Sequence, residues 1–192
     1  CRSLAAACDA HSYPDWADAI AHDVVDVVSI CTPASLHHDI AVTAALAGRH
    51  VLCEKPMALT LEEADRMIAA AQTGKVHLFV CHQYRGLSRY RIIKELIDAD
   101  DLGSPLFMRF METREVRPKL AMHSKSLSGG PVHDMSGHLF DLGRFFTGSN
   151  AKSVSATGAI LGKGKERLAG IDDLGIDTAE ILVRFMDGHC LS

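Results

Sequence analysis

The 192 residues are 47% hydrophobic and 23% charged, the composition of an ordinary globular protein rather than a fibrous or low-complexity one. A formal net charge of −4 leaves no basic footprint, so nucleic acid is not an expected partner. No apolar run approaches the ~20 residues that cross a bilayer, which removes the membrane from the expected partners as well.

The first residues, Cys1-Arg2-Ser3-Leu4, lack the apolar stretch of a secretory signal. Six cysteines stand at 1, 8, 31, 53, 81 and 190, with no Cys-x-x-Cys pair. Cys31, Cys53 and Cys81 each close an apolar, strand-like run and read as buried free thiols in a reducing compartment, so the cytoplasm is expected.

Residues 2–8 read as the tail of a helix. Residues 24–30 are an almost continuous β-branched run, as in a strand buried on both faces of a parallel sheet. Residues 34–47 form a helix of small side chains stopped by Gly48, and residues 51–53 make the next strand. Thr60-Leu61-Glu62-Glu63 is a capping box that opens a helix to about Thr73. A third strand, residues 76–80, runs into Cys81-His82-Gln83-Tyr84-Arg85. Alternating strands and helices predict a doubly wound α/β domain over residues 1–86.

The pattern changes over residues 87–192, which predict an α+β domain with an open antiparallel or mixed sheet. A helix is expected at 88–99, with Tyr90, Ile93, Leu96 and Ile97 on one side, then a strand at 106–113. After an irregular stretch, Gly129-Gly130-Pro131 opens a helix whose Met135, Leu139, Leu142 and Phe146 recur at helical spacing until Gly148. Strands are expected at 153–160 and 178–185, an exposed loop at 161–167, and a hairpin turn at Asp187-Gly188.

Two segments carry chemistry. In Gly48-Arg49-His50-Val51-Leu52-Cys53-Glu54-Lys55-Pro56 a short strand delivers a lysine to its carboxyl end, the edge at which open α/β sheets bind ligands. In the Pro131 helix, Asp134 and His138 are one turn apart and share a face that Asp141 continues. A carboxylate beside an imidazole orients it and raises its basicity, which suits a general base near neutral pH.

Together these segments resemble the glucose-fructose oxidoreductase/inositol dehydrogenase (Gfo/Idh/MocA) family of nicotinamide-dependent oxidoreductases. The matching residues are Ile30-Cys31-Thr32-Pro33 with His37, then Gly48 to Pro56, then Gly129-Gly130 with Asp134 and His138. The resemblance runs in order from about Ser12 to Phe185. It implies a truncated Rossmann-type domain followed by the α+β domain. No Gly-x-Gly-x-x-Gly is present, and Tyr13-Pro14-Asp15-Trp16 matches a family segment that lies past the second strand. Asp9 is therefore not the ribose-binding acid, and the chain reads as an internal fragment lacking its first βαβ unit and its C-terminal end.

The resemblance further implies hydride transfer between NAD or NADP and a hydroxyl of a sugar, inositol or related polyol. In that reading His138 is the base, Lys55 polarises the reacting oxygen, and Asp134 binds substrate and steadies the pair. Thr32, Pro33, His37, Glu54, Lys55 and Arg85 fall at cofactor-binding positions, with a cis Lys55–Pro56 bond as in the family. Ala34 and Gln83 replace asparagines found in relatives. His37 either contacts the cofactor turn or faces solvent at a helix start. Residues 117–128 are expected to line the substrate pocket, where His123 and Lys125 either touch substrate hydroxyls or belong to a solvated loop. A homo-oligomer through the second-domain sheet is expected of the full-length protein.

Two other classes compete. A non-catalytic dinucleotide-binding sensor on the same fold would not need the Lys55, Asp134 and His138 set. Eleven histidines suggest a metal-dependent hydrolase, but His133 and His138 are splayed on a helix and no ligand set has the right spacing. No metal site is expected.

Overall fold

The computed structural model describes residues 2–104 and 106–192. Cys1, one of the six cysteines, lies outside the described residues. The chain divides into two compact units, Cys1–Cys81 and His82–Ser192.

In the first unit, strands β1 (Val27–Ile30), β2 (His50–Glu54) and β3 (Leu78–Cys81) form a parallel sheet in that order. Ile30 lies opposite Cys53, and Glu54 opposite Cys81. Helices α1 (Arg2–Ala7) and α2 (Trp16–Ala21) precede the sheet, and Asp15 caps α2 by accepting from the Ala17 amide at 2.9 Å. The crossovers are α3 (His37–Leu46), entered through a 3-10 turn at Ala34–Leu36, and α4 (Leu61–Gly74). The Thr60 box forms as the sequence requires: the Thr60 hydroxyl accepts from the Glu63 amide, and the Glu63 carboxylate accepts from the Thr60 amide.

One sheet face holds the core. Ile30, Val51 and Cys53 pack with Ile40, Ala41, Ala44 and Ala45 of α3 and Met67, Ala70 and Ala71 of α4. Full burial of Met67 alone is worth roughly 1.5–3 kcal/mol. Small residues let the helices approach: a Cβ on Gly74 would fall 1.9 Å from the Ala45 carbonyl oxygen.

The sequence reading needs two corrections here. The first strand begins at Val27 rather than at residue 24, and it is not buried on both faces. Val27 is 56% exposed, Leu52 37% and Phe79 62%, because the helices packed on the sheet cover the face of Ile30 and Cys53. The thiols divide for the same reason. Cys53 points into the core and is buried, whereas Cys81, opposite Glu54, points the other way and is half-buried, and Cys31 is exposed. Burial, with Glu54 and Cys31 nearby, pushes the Cys53 thiol up to about 12.

The second unit contains α5 (Ser88–Asp98), β4 (Phe107–Met108), α6 (Lys125–Ser128), α7 (Pro131–Thr147), β5 (Ala151–Ala159), β6 (Thr178–Phe185) and β7 (Cys190–Leu191). The sheet order is β4-β7-β6-β5, parallel between β4 and β7 and antiparallel elsewhere, so the sheet is mixed. Val183, Phe185 and Leu191 form its core with Met108, Phe110, Phe140 and Ile181. Helix α7 lies close on the sheet, since a Cβ on Gly143 would meet Leu191 at 2.7 Å and Phe185 at 2.9 Å. Gly188, at φ +93°, makes the turn into β7.

The strand expected at 106–113 is only Phe107–Met108, flanked by ladder bonds from the Cys190 amide to Leu106 and from the Phe110 amide to Ser192. In this register Met108 lies opposite Leu191 and the Phe110 amide bonds Ser192, the last residue, so residues 111–113 have no residue of this chain opposite them on β7.

Candidate active site

Two turns leave the carboxyl ends of adjacent parallel strands in the first unit. Thr32-Pro33 follows β1 and is exposed, while Glu54 ends β2 and runs into Lys55-Pro56, a cis peptide bond. Both Glu54 and Lys55 are partly buried, and the Lys55 amide donates to the Glu54 carboxylate at 3.3 Å. Beneath them lies His37, only 1% exposed, which settles its alternative: it does not face solvent. Its Nδ1 sits 2.8 Å from the Pro56 carbonyl oxygen and its Nε2 3.0 Å from that of Thr32. Both acceptors are carbonyls, so a neutral ring donates to one at a time. His37 thus ties the two turns together from inside.

In the second unit, α7 buries Asp134, His138 and Asp141 along one side. A helix face built only for packing would place apolar groups there; burying three polar groups is costly unless each is bonded. Asp141 is held by Arg85, whose Nε and Nη2 donate to its two oxygens at 2.8 and 2.6 Å. Arg85 in turn lies 5.3 Å over the Phe145 ring. This fork fastens the 3-10 turn Gln83–Gly86 to α7 and lays Tyr84 flat on the His138 imidazole, with ring centroids 4.1 Å apart and planes 9° apart. Tyr90 of α5 stacks on Tyr84 at 5.5 Å. His82 approaches Asp141 at 3.8 Å. Burial pulls its pKa below the ordinary imidazole value; Asp141 opposes this, while Arg85 and Arg144 reinforce it.

The approach to α7 is the irregular stretch of the sequence. His123 is buried, with Nε2 3.2 Å from the Arg117 carbonyl oxygen, and Lys125 is exposed at the start of α6. Gly130 caps α7 at φ 91° and ψ 171°, backbone reserved for glycine, and Pro131 follows as the first helical residue. The Val132 amide, left over at the helix start, donates to the Ile176 carbonyl at 3.0 Å. Gly130 packs backbone to backbone on Gly175: a Cβ on either would lie 2.5–2.6 Å from the other's Cα.

The sequence placed Asp134 and His138 one turn apart and kept Arg85 in view, and Lys55, Asp134 and His138 all have interaction partners. Lys55 belongs to the first unit and the Asp134–His138 pair to the second. Three contributors escaped it: the Asp141–Arg85 fork, the Tyr84 stack, and the segment around Asp173 and Gly175. Only the Gly129-Gly130 pair hinted at close backbone packing. Among the described residues no group of three or more His, Cys, Asp or Glu could hold a metal ion.

A parallel α/β unit with turns at the carboxyl ends of its strands, followed by a mixed-sheet unit with a buried Asp/His helix, defines a two-part architecture. Residues 1–82 match the sequence model described as oxidoreductase family, NAD-binding Rossmann fold, and residues 90–192 match the GFO/IDH/MocA C-terminal domain. The chain belongs to the Gfo/Idh/MocA oxidoreductase family.

The chain is similar to myo-inositol 2-dehydrogenase of Thermotoga maritima, at 31% identity over 177 residues, covering 92% of this chain and 51% of that protein. Among solved structures, the WlbA dehydrogenase from Bordetella pertussis, in complex with NADH and UDP-GlcNAcA, matches with a TM-score of 0.82 and 27% identity over 99% of this chain and 54% of that one. A levoglucosan dehydrogenase in complex with NADH and levoglucosan matches with a TM-score of 0.81 and 28% identity, covering 99% of this chain and 53% of that one. The chain spans about half the length of the curated relatives it matches.

Proposed function

We propose that the full-length protein is an NAD(P)-dependent dehydrogenase acting on a CH–OH group of a sugar, inositol or related polyol. The observation that carries this is the buried Asp134 and His138 on one side of α7, with the imidazole held flat against Tyr84. Relatives of similar sequence and fold that are named for inositol, or bound to levoglucosan and NADH, support the substrate class.

The first unit fits a dinucleotide at the carboxyl edge of its parallel strands, where Thr32, Pro33, Glu54 and Lys55 stand on turns tied by His37. A nicotinamide cofactor, when bound, accepts or returns the hydride. Thr32, Pro33, Glu54, Lys55 and Arg85 are the residues assigned to hold it, and His37 serves by fixing the two turns. As carbon loses hydride, the hydroxyl must lose its proton, and the His138 imidazole takes it. The Lys55 ammonium stabilises the negative charge growing on that oxygen. Asp134, His123 and Lys125 bind the remaining hydroxyls. Oligomerisation through the second-unit sheet is part of the same proposal; β5, its edge strand, is exposed throughout.

The test is steady NAD(P)H production by the full-length protein from a panel of inositols, aldoses and anhydrosugars. Turnover of at least one, abolished by Lys55→Ala, is expected. Tight NADH binding without turnover of any would instead favour a dinucleotide-binding sensor.

A further inference from the structure

Residues 173–176 lie between β5 and β6 in sequence, and none of them is among the residues assigned above. They nevertheless hold the approach to α7 at every step. The Asp173 carboxylate accepts from the Ser126 amide at 2.8 Å and from the Ser124 hydroxyl at 2.9 Å, and its backbone carbonyl accepts from the Lys125 amide at 2.7 Å. The Gly175 amide donates to the His123 carbonyl at 2.8 Å, and Ser124 and Leu174 form an isolated β-bridge. Four consecutive residues, His123 to Ser126, are thus bonded to one short strap. The Ser124 hydroxyl also accepts from the Leu127 amide at 3.2 Å and so caps α6. A four-residue helix does not sustain itself, because a single turn fixes too many dihedrals for the bonds it gains. Its conformation is imposed from outside, and Asp173 supplies most of that imposition.

We propose that Asp173 is a positioning residue for substrate recognition: its carboxylate holds Ser124-Lys125-Ser126 so that His123 and Lys125 meet the hydroxyls of a polyol. This rests on the dehydrogenase reading above. Asp173 and Ser126 are exposed, so the Ser126 amide released on removing the carboxylate finds water, while the buried Ser124 hydroxyl keeps the Ser126 hydroxyl, 3.1 Å away, as a partner, and the fold loses little. What is lost is the fixed shape of the loop. The signature of Asp173 is therefore weaker substrate binding with the chemical step nearly intact. A residue holding up the fold would instead lower stability.

The experiment uses the full-length protein and its best polyol substrate. Asp173→Ala is expected to raise KM about tenfold, the scale of one net hydrogen bond, with kcat and NADH affinity little changed. Asp173→Asn, whose amide oxygen can accept the same two donors, should recover most of the loss. Backbone hydrogen exchange at Lys125, Ser126 and Gly175 should quicken in the Ala variant. An active Asp173→Ala protein with unchanged KM would overturn the role of Asp173 alone, as would a fall in kcat at constant KM or unchanged exchange. A wild-type protein that turns over no polyol would overturn the dehydrogenase reading itself, and with it the substrate role.

Discussion

The two regions assigned to chemistry are held in place in opposite ways. In the first unit one buried side chain does the holding: His37 reaches the Thr32 carbonyl five residues back and the Pro56 carbonyl nineteen residues on. In the second unit the holding comes from afar. Asp141 is bonded to Arg85 across 56 positions, and Asp173 to Ser124 across 49. A local clasp survives as a short sequence motif, whereas a clasp built from distant segments leaves no pattern in either segment. The difference also predicts where substitutions do most harm.

Backbone-to-backbone contact in the second unit should be the least tolerant. A Cβ at Gly175 would fall 2.5 Å from the Gly130 Cα and 2.8 Å from the Gly129 carbonyl oxygen, and no flexible side chain is there to give way. Gly175→Ala is expected to cost about 3 kcal/mol in urea unfolding. Gly48→Ala in the first unit meets nothing within 4 Å and should cost only about 1 kcal/mol, for its left-handed backbone. Equal costs would erase the contrast.

His37→Ala should come next, at about 2–3 kcal/mol, from a core cavity and the lost bonds to the two turns. If unfolding were unchanged, the clasp would be a bystander. Smaller still is the Asp141–Arg85 fork. Arg85 is 46% exposed, so solvent screens the pair, and a double-mutant cycle with Asp141→Asn and Arg85→Gln should give a coupling of about 1 kcal/mol. No coupling would mean that Tyr84 is held over His138 by stacking alone.

The smallest effect is a pH dependence. Burial places the His82 pKa in the folded protein below its ordinary 6.5. The folded state therefore binds fewer protons than the unfolded one, and the contribution of His82 is complete above 6.5 and lost as pH falls through the lower folded value. His82→Gln should flatten the stability profile in that window. A profile unchanged by the substitution would show that His82 titrates alike in both states.

Much of the fold was legible because its signals are local. The Thr60 capping box, the glycine stops at 48 and 148, and Pro131 after a glycine pair each mark a helix end within a few residues. Where the sequence said less, the missing information was a partner. The strand expected at 106–113 pairs as far as Ser192, the last residue, and the run at residues 24–30 suggested two covered faces where, among the described residues, the packed helices cover one. The candidate site divides the same way. Asp134 and His138 announce themselves by their spacing, and Asp173 does not, because nothing in its own neighbourhood refers to Ser124.

Everything assigned to α7 depends on His138 as the group that takes the proton, and kcat of His138→Ala in the full-length protein measures this most directly. A well-placed base contributes ~100- to 10,000-fold. The variant should lose at least the lower amount across neutral pH, with NADH affinity little changed because His138 belongs to the second unit. Near-normal turnover of the polyol by His138→Ala would mean that the proton leaves by another route and that the base has been misassigned.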